Sequence, residues 1–221
     1  MKHLKLEVLS QEEIELIHQK ALEVLEKVGI TVYEPEAVKL LGDMGARVEG
    51  KKVYFPSSLV EKSIEKAPKE FTVYARNEKH NVEMQVGKVF FEPMIGRVNV
   101  LDWRTGEKRR TNINDAGDLV KLADALDNYH ILHSGSIMPS IEGIPVGTSH
   151  VHGYLQGVKN SSKVIKGSCR GKKVAEDCIE IASIWSGIPK EKLYQKPNIF
   201  TTCNIISPLK LDEAQTQGLM V

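Results

Sequence analysis

The sequence predicts an α/β protein: a partial (β/α)8 TIM-type barrel preceded by a helical N-terminal cap and antiparallel β-hairpins. Three observations predict it. Capped, amphipathic helical patterns fill residues 1–70, and alternating segments punctuated by turns fill residues 71–112. In residues 113–221, strand-like segments beginning near His130, Lys163 and Asn198 recur at roughly 35-residue intervals with helical patterns between them, the size of a strand–helix–strand unit. Strands joined in this way run parallel through right-handed crossovers.

Each element has its own signal. Ser10 and Glu13 form an S-x-x-E capping box, and Ile14, Ile17, Ala21, Val24, Leu25 and Val28 follow at helical spacing until Gly29. A second helix starts near Pro35 and ends at Gly45, short β signals flank Glu49-Gly50, and a third helix spans Ser57 to Ala67. FTVYAR, VEMQVGKVFF, GRVNVLD and KRRTN then read as hairpin strands, separated by Asn77–Asn81 and Trp103–Glu107. Helix Asp115–Asp127, strand His130–Met138, helix Ser149–Lys159, strand Lys163–Ser168, helix Lys172–Ser186 and strand Asn198–Ile206 complete the order, with a further helix opening at Ser207-Pro208. An open doubly wound sheet would also fit. No glycine-rich phosphate fingerprint follows any of the three strands, since GSCRGKK lacks the G-x-G-x-x-G spacing, and that favours the barrel. So few units do not close a barrel, and an open parallel edge invites association. The chain is therefore expected to be cut partway round, inactive alone and prone to form a homo-oligomer.

Composition narrows the function classes. Lys+Arg number 30 against 29 Asp+Glu, for a formal charge of +1, which argues against a nucleic-acid surface. No apolar run reaches the roughly 18 residues of a membrane helix, and the N-terminus is amphipathic and acidic where a signal peptide would be apolar. Cys169, Cys178 and Cys203 form neither a CxxC pair nor an even framework. A cytoplasmic protein is expected.

Several stretches carry a resemblance: LSQEEIELIHQKALEVLEKVGI, LLGDMGARVEGKKVYFPSSLVEKSIEKAP, LDWRTGEKRRTNINDAGDLVKLADALDN, SSKVIKGSC and NIISPLKLDE. In order and spacing the chain resembles the N-terminal half of the trimethylamine methyltransferase family. That resemblance implies transfer of a methyl group from a methylated amine, trimethylamine or a quaternary amine such as glycine betaine, to the cobalt of a corrinoid protein. No cofactor would be bound directly, because the partner protein carries the corrinoid (a methylcobamide). Family members with pyrrolysine act on trimethylamine, and the position of that residue lies beyond Val221.

Chemistry in a barrel sits at the C-terminal ends of the strands. The substrate-binding candidates there are Ser136 (with Met138) on the first strand, Ser168 and Arg170 (with Cys169) on the second, and Asn204 on the third. Asn204 leads, as a neutral amide in an isoleucine-rich strand that needs a partner. Glu92, beside Val89-Phe90-Phe91, could face a cation, and Asp102 starts a turn. Ser207 reads as a helix N-cap. No metal is expected. A rival reading takes His130, His133, His150 and His152 as zinc ligands of a barrel hydrolase, the H-x-H pair having zinc-like spacing. A third takes the protein as a non-catalytic binder of quaternary amines.

Overall fold

The structure is a computed structural model that describes residues 7–93, 99–133 and 143–221. The chain divides into two compact units, residues 1–68 with 204–213, and residues 69–203 with 214–221.

The first unit begins with helix α1 (Gln11–Lys27), capped reciprocally: Ser10 Oγ accepts from Glu13 N–H at 3.2 Å, and Glu13 Oε2 accepts from Ser10 N–H at 2.7 Å. After Gly29 come β1 (Ile30–Val32), α2 (Pro35–Asp43), β2 (Arg47–Glu49), β3 (Lys52–Tyr54) and α3 (Ser57–Lys66). Strand β1 has no counterpart among the expected elements, because its three residues are too short to show a period. In the structure β1 is central. It pairs antiparallel with β3 and parallel with a two-residue strand, Lys210–Leu211, from the far end of the chain. Ile30, Val32, Ala37, Ala46 and Val53 form the buried core, with Leu25, Val38, Leu41, Phe55, Leu59 and Leu211 packed around it.

The second unit opens with an antiparallel hairpin, β4 (Glu70–Val73) against β5 (Val82–Gln85), then a second, β6 (Asn99–Leu101) against β7 (Lys108–Arg110). Asp102 turns the second hairpin, accepting from Arg104 N–H at 2.9 Å, and its other oxygen holds Arg109 Nε at 3.0 Å. Arg109 also forks onto both oxygens of Asp115 at 2.7 and 2.8 Å. Asp115 closes a capping box with Asn112 at the start of α4 (Ile113–Ala125). Thereafter come β8 (Ile131–Leu132), α5 (Ser149–Asn160), β9 (Val164–Ile165), α6 (Lys172–Ser186) and α7 (Glu213–Leu219).

Strands β8 and β9 are parallel, with Ile131 opposite Val164 and Leu132 opposite Ile165. Both are buried on both faces, as parallel strands require. Ile131 and Val164 pack with Val73, Val82, Phe90 and Phe200 on one side, whereas Leu132 packs with Val120 and Ala123 of α4 on the other. The fold is thus mixed α/β, and no closed barrel is formed among the described residues.

Two expectations need correction at the end of the chain. Residues 198–206 form no strand ladder; the segment makes single contacts, with Phe200 C=O accepting from Gly167 N–H at 3.0 Å and, just before it, Pro197 C=O from Tyr74 N–H at 2.8 Å. Asn198 instead is buried and donates to Ala182 C=O at 3.0 Å, serving α6. Nor is Ser207 an N-cap. Ser207-Pro208, a cis peptide, and Leu209 form a turn closed by Ile206 and Lys210, whose N–H and C=O groups bond each other at 2.7 Å in both directions. The helix waits until Glu213 because Lys210 and Leu211 pair with β1.

Gly29 is the position where the first unit admits no side chain. Its φ is +68°, and a Cβ there would lie 2.5 Å from Val53 O. Gly50 has a similar φ of +61° but open space around it. Gly29→Ala should destabilise the protein by about 2 kcal/mol or more in chemical denaturation, whereas Gly50→Ala should cost about 1 kcal/mol from its backbone conformation alone. Equal losses would show that the approach of Val53 is not what excludes a side chain.

Candidate functional site

Side chains alternate along a strand, so His133 continues the face of Ile131, and Lys166 the face of Val164. Both therefore emerge at the C-terminal ends of β8 and β9, on the side opposite helix α4. Lys166 N–H bonds Leu132 C=O at 2.9 Å, which extends the ladder by one step and fixes this placement. Between the two side chains lies Glu92. Its Oε1 is 2.7 Å from His133 Nδ1, and both its oxygens accept from Lys166 Nζ at 3.1 Å. All three are largely covered: the side chains are 23% (Glu92), 13% (His133) and 12% (Lys166) exposed.

Aromatic rings lie close by. Lys166 Nζ stands 5.7 Å from the centroid of Phe200. His130 packs edge-on to Phe90 at 5.3 Å, and its Nδ1 accepts from Phe91 N–H at 3.1 Å, which anchors the segment carrying Glu92. Burial pushes the Glu92 carboxyl up, but the hydrogen bonds from His133 and Lys166, with the Lys166 charge, outweigh it and hold the group below the usual carboxylate range.

The other candidates are placed as follows. Ser168 is buried just past β9, where its Oγ accepts from Arg170 N–H at 3.4 Å, while Arg170 itself is exposed. Cys169 is buried and its Sγ–H donates to Thr202 C=O at 3.4 Å. Gly218 of α7 approaches Cys169 so closely that a Cβ would lie 2.1 Å from the Cys169 carbonyl oxygen. Asn204 is exposed and belongs to the first unit, whereas Glu92, His133 and Lys166 belong to the second. Ser136 and Met138 lie outside the described residues.

The histidine quartet does not assemble as the hydrolase reading requires. His130 and His133 are engaged with Phe91 and Glu92, and His150 Nε2 is 3.0 Å from Asp177 Oδ2. His150 and His152 sit on α5, where residues two apart point to different sides. Among the described residues no group of three His, Cys, Asp or Glu could hold a metal. The sequence singles out Glu92 as a candidate but not Lys166. Its signal was a lysine closing the apolar run Val164-Ile165, a residue type seldom covered unless paired.

The sequence model of the family described as trimethylamine methyltransferase matches residues 2–221. The chain belongs to the trimethylamine methyltransferase family. It is 36% identical over 217 residues to a glycine betaine methyltransferase of Desulfitobacterium hafniense (strain Y51), covering 98% of this chain and 44% of that protein. It is 29% identical over 206 residues to the trimethylamine methyltransferase MttB of another strain of Desulfitobacterium hafniense (91% and 40% covered). Against the MttB of Methanosarcina thermophila, identity is 26% over 212 residues (94% and 44% covered). The chain thus spans less than half the length of these trimethylamine methyltransferase family relatives. No helix among the described residues is long and apolar enough to cross a membrane.

Because the folded state holds Glu92 below its unfolded pKa, the pairing contributes fully above the ordinary carboxylate range and is lost as pH falls through the folded pKa. Glu92→Gln should therefore flatten the fall in melting temperature between about pH 5 and pH 3, relative to the parent protein. Other acidic groups are common to both proteins and cancel in the difference. Superimposable pH profiles would show that Glu92 contributes no such linkage.

Proposed function

We propose that this chain provides the opening section of a barrel methyltransferase that moves a methyl group from a quaternary amine, glycine betaine or a close relative, to the corrinoid of a partner protein. The division proposed is a cap (1–70), a hairpin region (71–112) and the first barrel units (113–221). The observation that carries this reading is the Glu92–His133–Lys166 cluster at the C-terminal ends of two parallel strands, beside Phe200, where a barrel places its chemistry. Membership of the family and the 36% identity to a glycine betaine methyltransferase support the choice of reaction.

The partner's corrinoid supplies a cobalt(I) nucleophile. As the methyl carbon bonds to cobalt, the C–N electron pair returns to nitrogen, and the donor leaves as a neutral tertiary amine. No proton is needed at nitrogen. The protein's task is to bind, orient and exclude water. Phe90, Phe200, Ile131 and Val164 form an apolar floor under the charged cluster, and the Phe200 ring offers a face to a methylated cation. Glu92 and Lys166 present fixed charges of both signs above that floor. Ser168, Arg170 and Asn204 are proposed as further polar contacts to the donor.

The test uses protein from the intact gene with its corrinoid partner reduced to cobalt(I). Glycine betaine should yield methylcobalt, followed by its absorbance, and one equivalent of dimethylglycine. The 221 residues alone should give no transfer above background. Binding of betaine by the intact protein without transfer would favour the non-catalytic reading. In the same assay Asn204→Ala should weaken donor binding by about 1–3 kcal/mol if its amide contacts the donor directly. Unchanged kinetics with a lowered melting temperature would make Asn204 a structural amide.

A further inference from the structure

We propose that Lys166 and Glu92 act as a pair that selects a zwitterionic methyl donor, bearing a carboxylate beside its quaternary nitrogen, over a donor that is only a cation. The inference rests on the methyltransferase reading and assigns the specificity of that site to named residues.

The geometry of the pair carries the argument. Lys166 Nζ lies 3.1 Å from each Glu92 oxygen, so a positive and a negative group stand side by side in a partly covered site. In an N-methylated amino acid the nitrogen and the nearer carboxylate oxygen are about 3 Å apart, by ordinary bond lengths. Such a donor matches the pair head to tail, with its carboxylate on the Lys166 ammonium and its quaternary nitrogen toward Glu92. A donor that carries only the cation gains from Glu92 and loses to Lys166 at nearly the same distance. The charges of the pair therefore cancel for a plain cation and add for the zwitterion. Reduced solvent access strengthens both interactions over their value in water.

Two neighbours complete the arrangement. His133 Nδ1, 2.7 Å from Glu92 Oε1, braces the carboxylate and is a positioning residue. The Phe200 ring lies under Lys166 Nζ, its centroid 5.7 Å away, and flanks the ammonium that receives the donor's carboxylate. Neither a cluster of like charge nor an apolar pocket would discriminate in this way. A lone carboxylate would favour any cation, and a lone lysine would favour any anion.

The experiment measures calorimetric dissociation constants for glycine betaine and for choline, a quaternary amine of similar size without a carboxylate. It uses protein from the intact gene, and methyl transfer is assayed in parallel. Lys166→Met should weaken betaine binding about 10- to 100-fold, the worth of one charge-assisted hydrogen bond, and should tighten choline binding, because the ammonium that opposes the cation is gone. Glu92→Gln should move the preference the other way, weakening choline more than betaine. Should Lys166→Met fail to fold by circular dichroism, Glu92→Gln and Lys166→Arg, which keeps the charge and should keep the preference, decide the question. An unchanged betaine-to-choline ratio in folded Lys166→Met or Glu92→Gln from an active parent overturns this inference alone. A parent that transfers no methyl group from either donor overturns the methyltransferase reading and this inference with it.

Discussion

The register of β8 against β9 is the constraint on which the second unit depends. Ile131 stands opposite Val164 and Leu132 opposite Ile165, and this short parallel ladder has helices on one side and the β4–β5 hairpin on the other. Because side chains alternate, the register decides which face each flanking charge takes. A slip of one residue would turn Lys166 toward α4 and leave an ammonium covered without its carboxylate, a loss that apolar contacts would not offset. Just past β9 the packing is close: a Cβ at Gly167 would lie 2.6 Å from the Ile199 side chain.

The two lysines that flank β9 show how one short strand serves two purposes. Lys163 is buried, and its Nζ donates to Ala123 C=O at 3.1 Å and Leu126 C=O at 2.9 Å, satisfying carbonyls at the C-terminal end of α4. Lys166, at the other end and on the other face, meets Glu92. Lys163 fixes a helix, and Lys166 charges a site. The same residue type at both ends of Val164-Ile165 is thus given opposite tasks by the period of the strand.

Glu92 reaches its place by a different route. It comes from the segment after β5, tied to β8 where Phe91 C=O accepts from His130 N–H at 3.0 Å and Phe91 N–H donates to His130 Nδ1. His130 therefore holds the segment, and His133 receives the carboxylate it carries. Two of the four histidines taken as zinc ligands in the hydrolase reading are thus partners of one loop. The acid beside aromatic residues was legible in the sequence. Its two partners were not, because they lie on strands whose pairing is long-range.

The sequence by itself determined most of the helices, the cap of the first, the hairpins and the parallel character of the first two strand–helix units, since each rests on a local period or a local hydrogen bond. Ser10 with Glu13, and the apolar spacing from Lys172 to Ser186, need no distant partner to be read. Tertiary structure decided the rest. Ile30–Val32 is a strand because β3 and the Lys210–Leu211 strand flank it, and Asn198–Ile206 forms no ladder although its β-branched residues favour one. Pairing beyond the reach of local propensity also brought Glu92, His133 and Lys166 together. A charge placed by the register of two strands leaves no mark in the residues next to it.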